Sequence, residues 1–220
     1  MSKKRKLSVV LLMTMILTLL GGCIKKFDAS GYTKAILDVS YKNKTDQYIK
    51  LTGASKEEAE KIFAKNMDTT MKGFEALNFP DELENKFREL FEVLSKNVKY
   101  TVGEAVEDKK GNFTLDVSIK PITIFGDTYG EFQKQAKAYA EKVSNDVLNG
   151  AAMPSDETMQ NNVYEIYYDI LKNTIESGIP YGEAEVVTVH INKSDGNVYE
   201  IPKEDVKTLH DKMISQNTPK

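Results

Sequence analysis

The spacing of apolar residues constrains this chain most, because it switches from a helical period to a strand period and back. Ala59, Ile62, Phe63, Met67, Met71 and Phe74 recur every three or four residues, as do Leu83, Phe87, Leu90, Phe91 and Leu94. That spacing lays one apolar stripe along each of two helices. Val98, Tyr100 and Val102 then alternate with other residues, and so do Phe113, Leu115, Val117 and Ile119. A period of two puts every second side chain on one face of a strand. Helical spacing returns from Tyr129 to Val147 and from Val163 to Ile175, and a second strand reads over Glu185–Asn192.

Local signals punctuate these stretches. Ser55-Lys56-Glu57-Glu58 has the form of a capping box, serine at the N-cap and glutamate three residues later. Pro80 and Pro202 suit first turns of helices, and Gly178 with Pro180 suits a helix end. Lys109–Asn112 separates two strands as a hairpin turn would, and Ser194-Asp195-Gly196-Asn197 carries the Asp-Gly signal of a tight one. Asn149–Ser155, with Gly150 and Pro154, reads as a linker between helices. Tyr32–Tyr41 reads as the first helix, followed by a turn region over Asn43–Thr52. The expected order is three helices, a hairpin, two helices, a hairpin and a final helix. The expected class is α+β, with several amphipathic helices packed on an antiparallel sheet built from two hairpins. The helix–hairpin alternation hints at a duplicated unit, which no matching residues support.

The first 22 residues follow another logic. Lys3, Lys4, Arg5 and Lys6 form a basic start, and Leu7–Leu20 is an uncharged apolar run. This is the pattern of an export signal. At 14 residues the run is short of the ~20 that a membrane-spanning helix needs. Leu20-Gly21-Gly22-Cys23 follows and resembles the bacterial lipobox, in which leucine and two small residues precede a cysteine. The resemblance implies cleavage between Gly22 and Cys23 and attachment of diacylglycerol to the Cys23 sulfur. Residues 1–22 are then a lipoprotein signal peptide and 23–30 a lipidated tether. Residues 31–216 form a single α+β globular domain, and 217–220 a frayed C-terminus.

A second resemblance concerns the domain. Tyr32–Leu51, a helix running into a polar turn ahead of further apolar helices and an antiparallel sheet, looks like the opening of cystatin-like, nuclear-transport-factor-like domains. Lipoproteins of unknown function in clostridia and bacilli often have this look. The resemblance implies a curved sheet, often with a cone-shaped pocket. Fold does not assign activity.

Composition limits the partners. Without the leader, 26 basic residues face 33 acidic ones, a formal charge near −7. An acidic chain without an aromatic-rich basic stripe has no general pull toward nucleic acid, and no nucleic-acid partner is expected. Arginine occurs only at Arg5 and Arg88, a lysine bias that suits an AT-rich genome. The single cysteine rules out a disulfide within the chain and a cysteine-based zinc site. His190 and His210 lack a second histidine or a cysteine at ligand spacing, so no metal is expected. His190 falls on the polar side of its strand, and His210 near the end of the last helix, where a cation suits the dipole. Glu57, Glu58, Glu60 and Asp81, Glu82, Glu84 occupy first turns, where acids are favourable anyway. No serine elbow, phosphate-cradling glycine loop or His-Glu-x-x-His is present. No residue is assigned a catalytic role and no cofactor is expected.

Tyr164, Tyr167 and Tyr168 cluster on one helix. Tyr167 lies on the buried stripe, while Tyr164 and Tyr168 share a side. The edge of a core is the default for such residues; exposed, they would stack on a sugar or anchor a partner. Tyr164, Tyr168 and His190 are the candidate binding surface. The expected protein is a membrane-anchored cell-envelope lipoprotein with a non-catalytic binding or accessory domain. It would sit on the extracytoplasmic face of the cell membrane and meet an envelope-protein or wall partner. Two alternatives stand beside it: an envelope enzyme using a pocket in the sheet, and a substrate-binding lipoprotein of a transporter.

Overall fold

A computed structural model describes residues 27–75, 78–194 and 198–215. The leader, Cys23, Asp195–Asn197 of the expected tight turn and residues 216–220 lie outside the described residues. Seven helices and five strands follow in the order α1 (Ala29–Lys42), α2 (Asp46–Thr52), α3 (Lys56–Lys72), α4 (Asp81–Lys96), β1 (Lys99–Val102), β2 (Val106–Glu107), β3 (Phe113–Lys120), α5 (Ile124–Leu148), α6 (Asp156–Ser177), β4 (Glu185–Ser194), β5 (Val198–Glu200) and α7 (Lys203–Met213). The class is α+β, as the periodicity predicts.

The sheet is antiparallel throughout, with strand order β1-β3-β4-β5 and β2 beside β3. The two hairpins are joined by β3 and β4, whose register sets Leu115 opposite Val189 and Val117 opposite Val187. Phe113, Leu115, Val117 and Ile119 are buried, as are Val187, Val189 and Ile191. Thr114, Asp116, Thr188 and His190 alternate with them on the solvent face. The period-two pattern thus corresponds to one packed face and one wet face.

Helix α1 packs against α3, α4 and β1. Its N-cap is Asp28, which accepts a hydrogen bond from Gly31 N–H at 2.8 Å, and it ends at Asn43 in the left-handed region (φ 54°). Ten of its fourteen residues are buried. Two of its polar groups find partners across the core: the Tyr32 hydroxyl donates to the Tyr199 carbonyl at 3.1 Å, and Ser95 Oγ donates to the Tyr41 carbonyl at 2.9 Å. The folded part begins before the expected boundary at residue 31. Phe27 stacks on Tyr199 with centroids 3.7 Å apart, so residues assigned to the tether contribute to the core.

Asn43–Thr52, read as a turn region, contains α2. The local pattern is silent there because a seven-residue helix buries none of its side chains fully. Without an apolar stripe, a helix that short is held by its neighbours rather than by propensity. The Ser55–Glu58 capping box forms as expected, with both reciprocal bonds.

Helices α5 and α6 connect β3 to β4 and pack on each other. At about 1.5 Å per residue, α5 is about 37 Å long. Only Ile124 and Thr128 of α5, and Ile170 and Leu171 of α6, are buried. Along the rest of the pair Phe132, Ala136, Tyr139 and Val143 of α5 and Met159, Val163 and Ile166 of α6 are half-buried, and Asn162 donates across the seam to the Tyr139 hydroxyl at 2.9 Å. The turn that joins the helices leaves Leu148 and Met153 exposed.

The chain closes along the sheet. Asp205, in the first turn of α7, accepts the His190 backbone N–H at 2.8 Å, and Lys212 near the other end pairs with Glu185. Ile122, just after β3, bridges to Tyr181 on one side and Ile214 on the other.

Candidate functional site

The residues singled out from sequence fall into separate environments. Tyr164 and Tyr168 are half-buried against α4 and the residues just before it: Tyr164 sits edge-on to Phe79 at 4.8 Å, and Tyr168 edge-on to Phe87 at 5.6 Å. Tyr167 meets Phe132 at 4.9 Å, and burial pushes its hydroxyl pKa up to about 12. These rings join α6 to the body. His190 is exposed on the outer sheet face, where Nδ1 lies 2.9 Å from the Asp205 carboxylate. Its partner is on α7, whereas the two tyrosines pack on Phe79, just before α4, and on Phe87 within it, so His190 and the tyrosines rest against different elements.

A cavity of about 70 Å³ lies beneath the C-terminal end of α1. Five elements meet there: α1, α3, α4, the first turn of α5, and α7 with the residue just beyond it. Its inner end is buried and polar on one side. Ser40 is 1% exposed, and its hydroxyl has no hydrogen-bond partner among the described residues. Beside it Asn66 donates through Nδ2 to the Ser40 carbonyl at 3.1 Å. Met67 and Phe91 supply the apolar side, and half-buried Phe74, Phe125 and Ile214 surround the opening.

His210 completes the wall. Its Nδ1 and the Tyr41 hydroxyl share a hydrogen bond at 3.2 Å, and the rings lie nearly parallel. Burial pulls the imidazole pKa below its usual value, with Asp211 opposing and Lys207 assisting. The Tyr41 hydroxyl is driven well above its usual range, chiefly by burial. At neutral pH both groups are therefore uncharged. Among the described residues, no Asp, Glu, Lys or Arg lines the cavity. Such a surface can present neutral hydrogen-bonding groups to a ligand and apolar contacts to its remainder.

Sequence reasoning placed His210 at a helix end and did not single out Ser40 or Asn66. All three come together only through packing of α1, α3 and α7. The usable signal was slight: Ser40 is a polar residue between Val39 and Tyr41, in a helix apolar on most sides.

A second buried polar cluster is fully partnered. Asp38 is 7% exposed, pairs with Lys34 and accepts the Tyr100 hydroxyl at 2.7 Å. Burial alone would raise its carboxyl pKa, but the hydrogen bonds from Lys34 and Tyr100 outweigh it and hold the group below its ordinary value. That arrangement fixes α1 on β1. Among the described residues no cluster of three or more His, Cys, Asp or Glu could hold a metal ion, and no helix is long and apolar enough to cross a membrane.

Comparison adds one solved relative of this fold. It is the crystal structure of a protein described as a putative lipoprotein (YcdA) from Bacillus subtilis. The two share 18% sequence identity at a TM-score of 0.58, over 87% of this chain and 57% of the other. At that identity the likeness is one of fold, and this chain spans little more than half the length of its neighbour. No protein-family model and no curated protein matches the chain.

Proposed function

We propose that this chain is a membrane-anchored, extracytoplasmic lipoprotein whose single domain binds a ligand or partner without transforming it. The observation that carries the reading is Leu20-Gly21-Gly22-Cys23 at the end of an uncharged apolar run, a few residues before Phe27, where the described fold begins. The fold likeness to a protein described as a lipoprotein supports it. A diacylglyceryl group on Cys23 would bury two acyl chains, each CH₂ contributing about 0.8 kcal/mol, where a single chain holds only marginally. From Cys23 to Phe27 the chain reaches at most about 14 Å, so the N-terminal end of α1 would lie close to the bilayer. Tyr41 stands twelve residues beyond Ala29 along α1, about 18 Å away at the helical rise, so the cavity lies at the far end of that helix from the anchor. Anchoring would raise the local concentration of the domain for envelope partners.

The antiparallel sheet speaks against the transporter alternative, since two-lobed binding lipoproteins are built on parallel α/β sheets. The test is metabolic labelling with a palmitate analogue in a host that processes lipoproteins. The wild-type chain is expected to take label and remain with membranes, and Cys23→Ala to lose the label and leave them. A Cys23→Ala product that still carries label refutes the anchor.

A further inference from the structure

We propose that the cavity under the C-terminal end of α1 binds an uncharged amphiphile head first. A hydroxyl or primary amide would meet Ser40, and an aliphatic tail would leave between Phe74, Phe125 and Ile214. The inference deepens the binding-module reading by naming the ligand chemistry, and it does not depend on the anchor.

Three observations lead there. The first is the Ser40 hydroxyl, buried and without a partner. Buried polar groups are nearly always hydrogen-bonded, because leaving one unpaired forfeits the bonds it made to water. A hydroxyl or amide head would satisfy it, with the neighbouring imidazole of His210 available as a neutral second contact. The second is an amphipathic lining. Ser40 and Asn66 are buried and polar, Met67 and Phe91 are buried and apolar, and at the half-buried level Phe74, Phe125 and Ile214 stand beside Thr70 and His210. A molecule polar at one end and apolar at the other matches that lining with its head at Ser40 and its tail toward the three half-buried apolar side chains. The third is charge. No lining residue among those described is ionised at neutral pH, so a carboxylate or ammonium would enter without a counterion from them and lose its hydration.

Size sets the length admitted. The cavity's volume of about 70 Å³ exceeds the roughly 10–15 Å³ that one water requires, and is about half of the ~150 Å³ apolar cavity that takes up benzene. It therefore holds the head and the first few carbons, and the remaining tail lies in the aromatic opening. Linear tails fit that geometry better than bulky rings.

The test uses the mature chain from residue 23 with Cys23→Ala, which retains every described element and needs no detergent. Methionine methyl and histidine ring resonances are followed while 1-hexanol is added at neutral pH, with hexanoate in a parallel titration. The expected result is a saturable shift at Met67 and His210 with hexanol, and at least tenfold weaker binding of hexanoate. Ser40→Ala should weaken hexanol about three- to tenfold, the loss expected of one neutral hydrogen bond. Met67→Phe, which fills the space, should abolish the response even if Ser40→Ala perturbs folding. The proposal is overturned if hexanol gives no saturable shift, as for a cavity holding water only. Equal binding of hexanoate, or an unchanged hexanol affinity in Ser40→Ala, also overturns it. A chain that labels with palmitate and ignores hexanol would keep the lipoprotein reading and lose this one.

Discussion

Helix α1 buries ten of its fourteen residues, whereas α5 buries two of its twenty-five. The shorter helix is enclosed by the sheet and by α3 and α4, and even its polar Thr33 and Asp38 are buried. The longer one leaves the body along a single seam with α6. Its exposed sides carry contacts one turn apart, such as Gln135 donating to Glu131 and Lys137 near Glu141. Such exposed pairs stabilise a helix by only about 0.2–0.5 kcal/mol each. One helix exists because it is packed, the other largely because its residues favour helix and share a seam. Length is no guide to which helix the fold depends on.

The largest test of that contrast pairs two truncations. Ile36→Ala in α1 should cost about 2–5 kcal/mol, since it removes a fully buried side chain from a core that cannot collapse around the gap. Val143→Ala on the outer seam should cost less than about 1 kcal/mol, because the site is partly solvated already. Equilibrium denaturation measures both. Equal losses would show that the α5–α6 seam is as integral to the core as α1.

A smaller effect concerns acid. His210 has a folded pKa below its ordinary 6.5, chiefly through burial, so the unfolded chain takes up a proton first. Its contribution is fully present above pH 6.5 and is lost as pH falls through that value toward the lower folded one. His210→Gln should flatten the pH dependence of stability in that window. Asp38 acts only in more acidic solution, since its carboxyl lies below 3.8 in the fold. An unchanged slope in His210→Gln would place the ring in water rather than in the cavity wall.

The smallest effect sharpens the picture of α1. Ser40→Ala deletes an unpaired hydroxyl from a helix and should leave the free protein as stable as before, or more stable by up to about 1 kcal/mol. A clear loss of stability would mean that the hydroxyl is bonded in solution, to water or to protein, and that α1 has no unsatisfied group to offer a ligand.

Element order and the two faces of β3 and β4 were legible because they depend on near neighbours. Phe113-Thr114-Leu115-Asp116 states its alternation within four residues, and Ser55 meets Glu58 within one turn. Helix α2 was not legible, since a seven-residue helix with no fully buried side chain leaves too short a stripe to read. Phe27 was misplaced for a related reason. One aromatic in a short polar stretch reads as linker until Tyr199 and Phe113, far along the chain, are known to flank it.

The candidate site divides the same way. The lipobox resemblance is carried by four consecutive residues, Leu20 to Cys23, and needs no fold to be seen. The α+β class was likewise fixed by periodicity, because burial on one face of a helix or strand imposes a repeat on local sequence. Which helix becomes the centre, which tyrosines close a seam and which serine is left unpartnered were decided by packing alone. Ser40, Asn66 and His210 lie 26 and 144 residues apart along the chain, and only the free energy of burying the apolar faces of α1, α3 and α7 together brings them to one cavity.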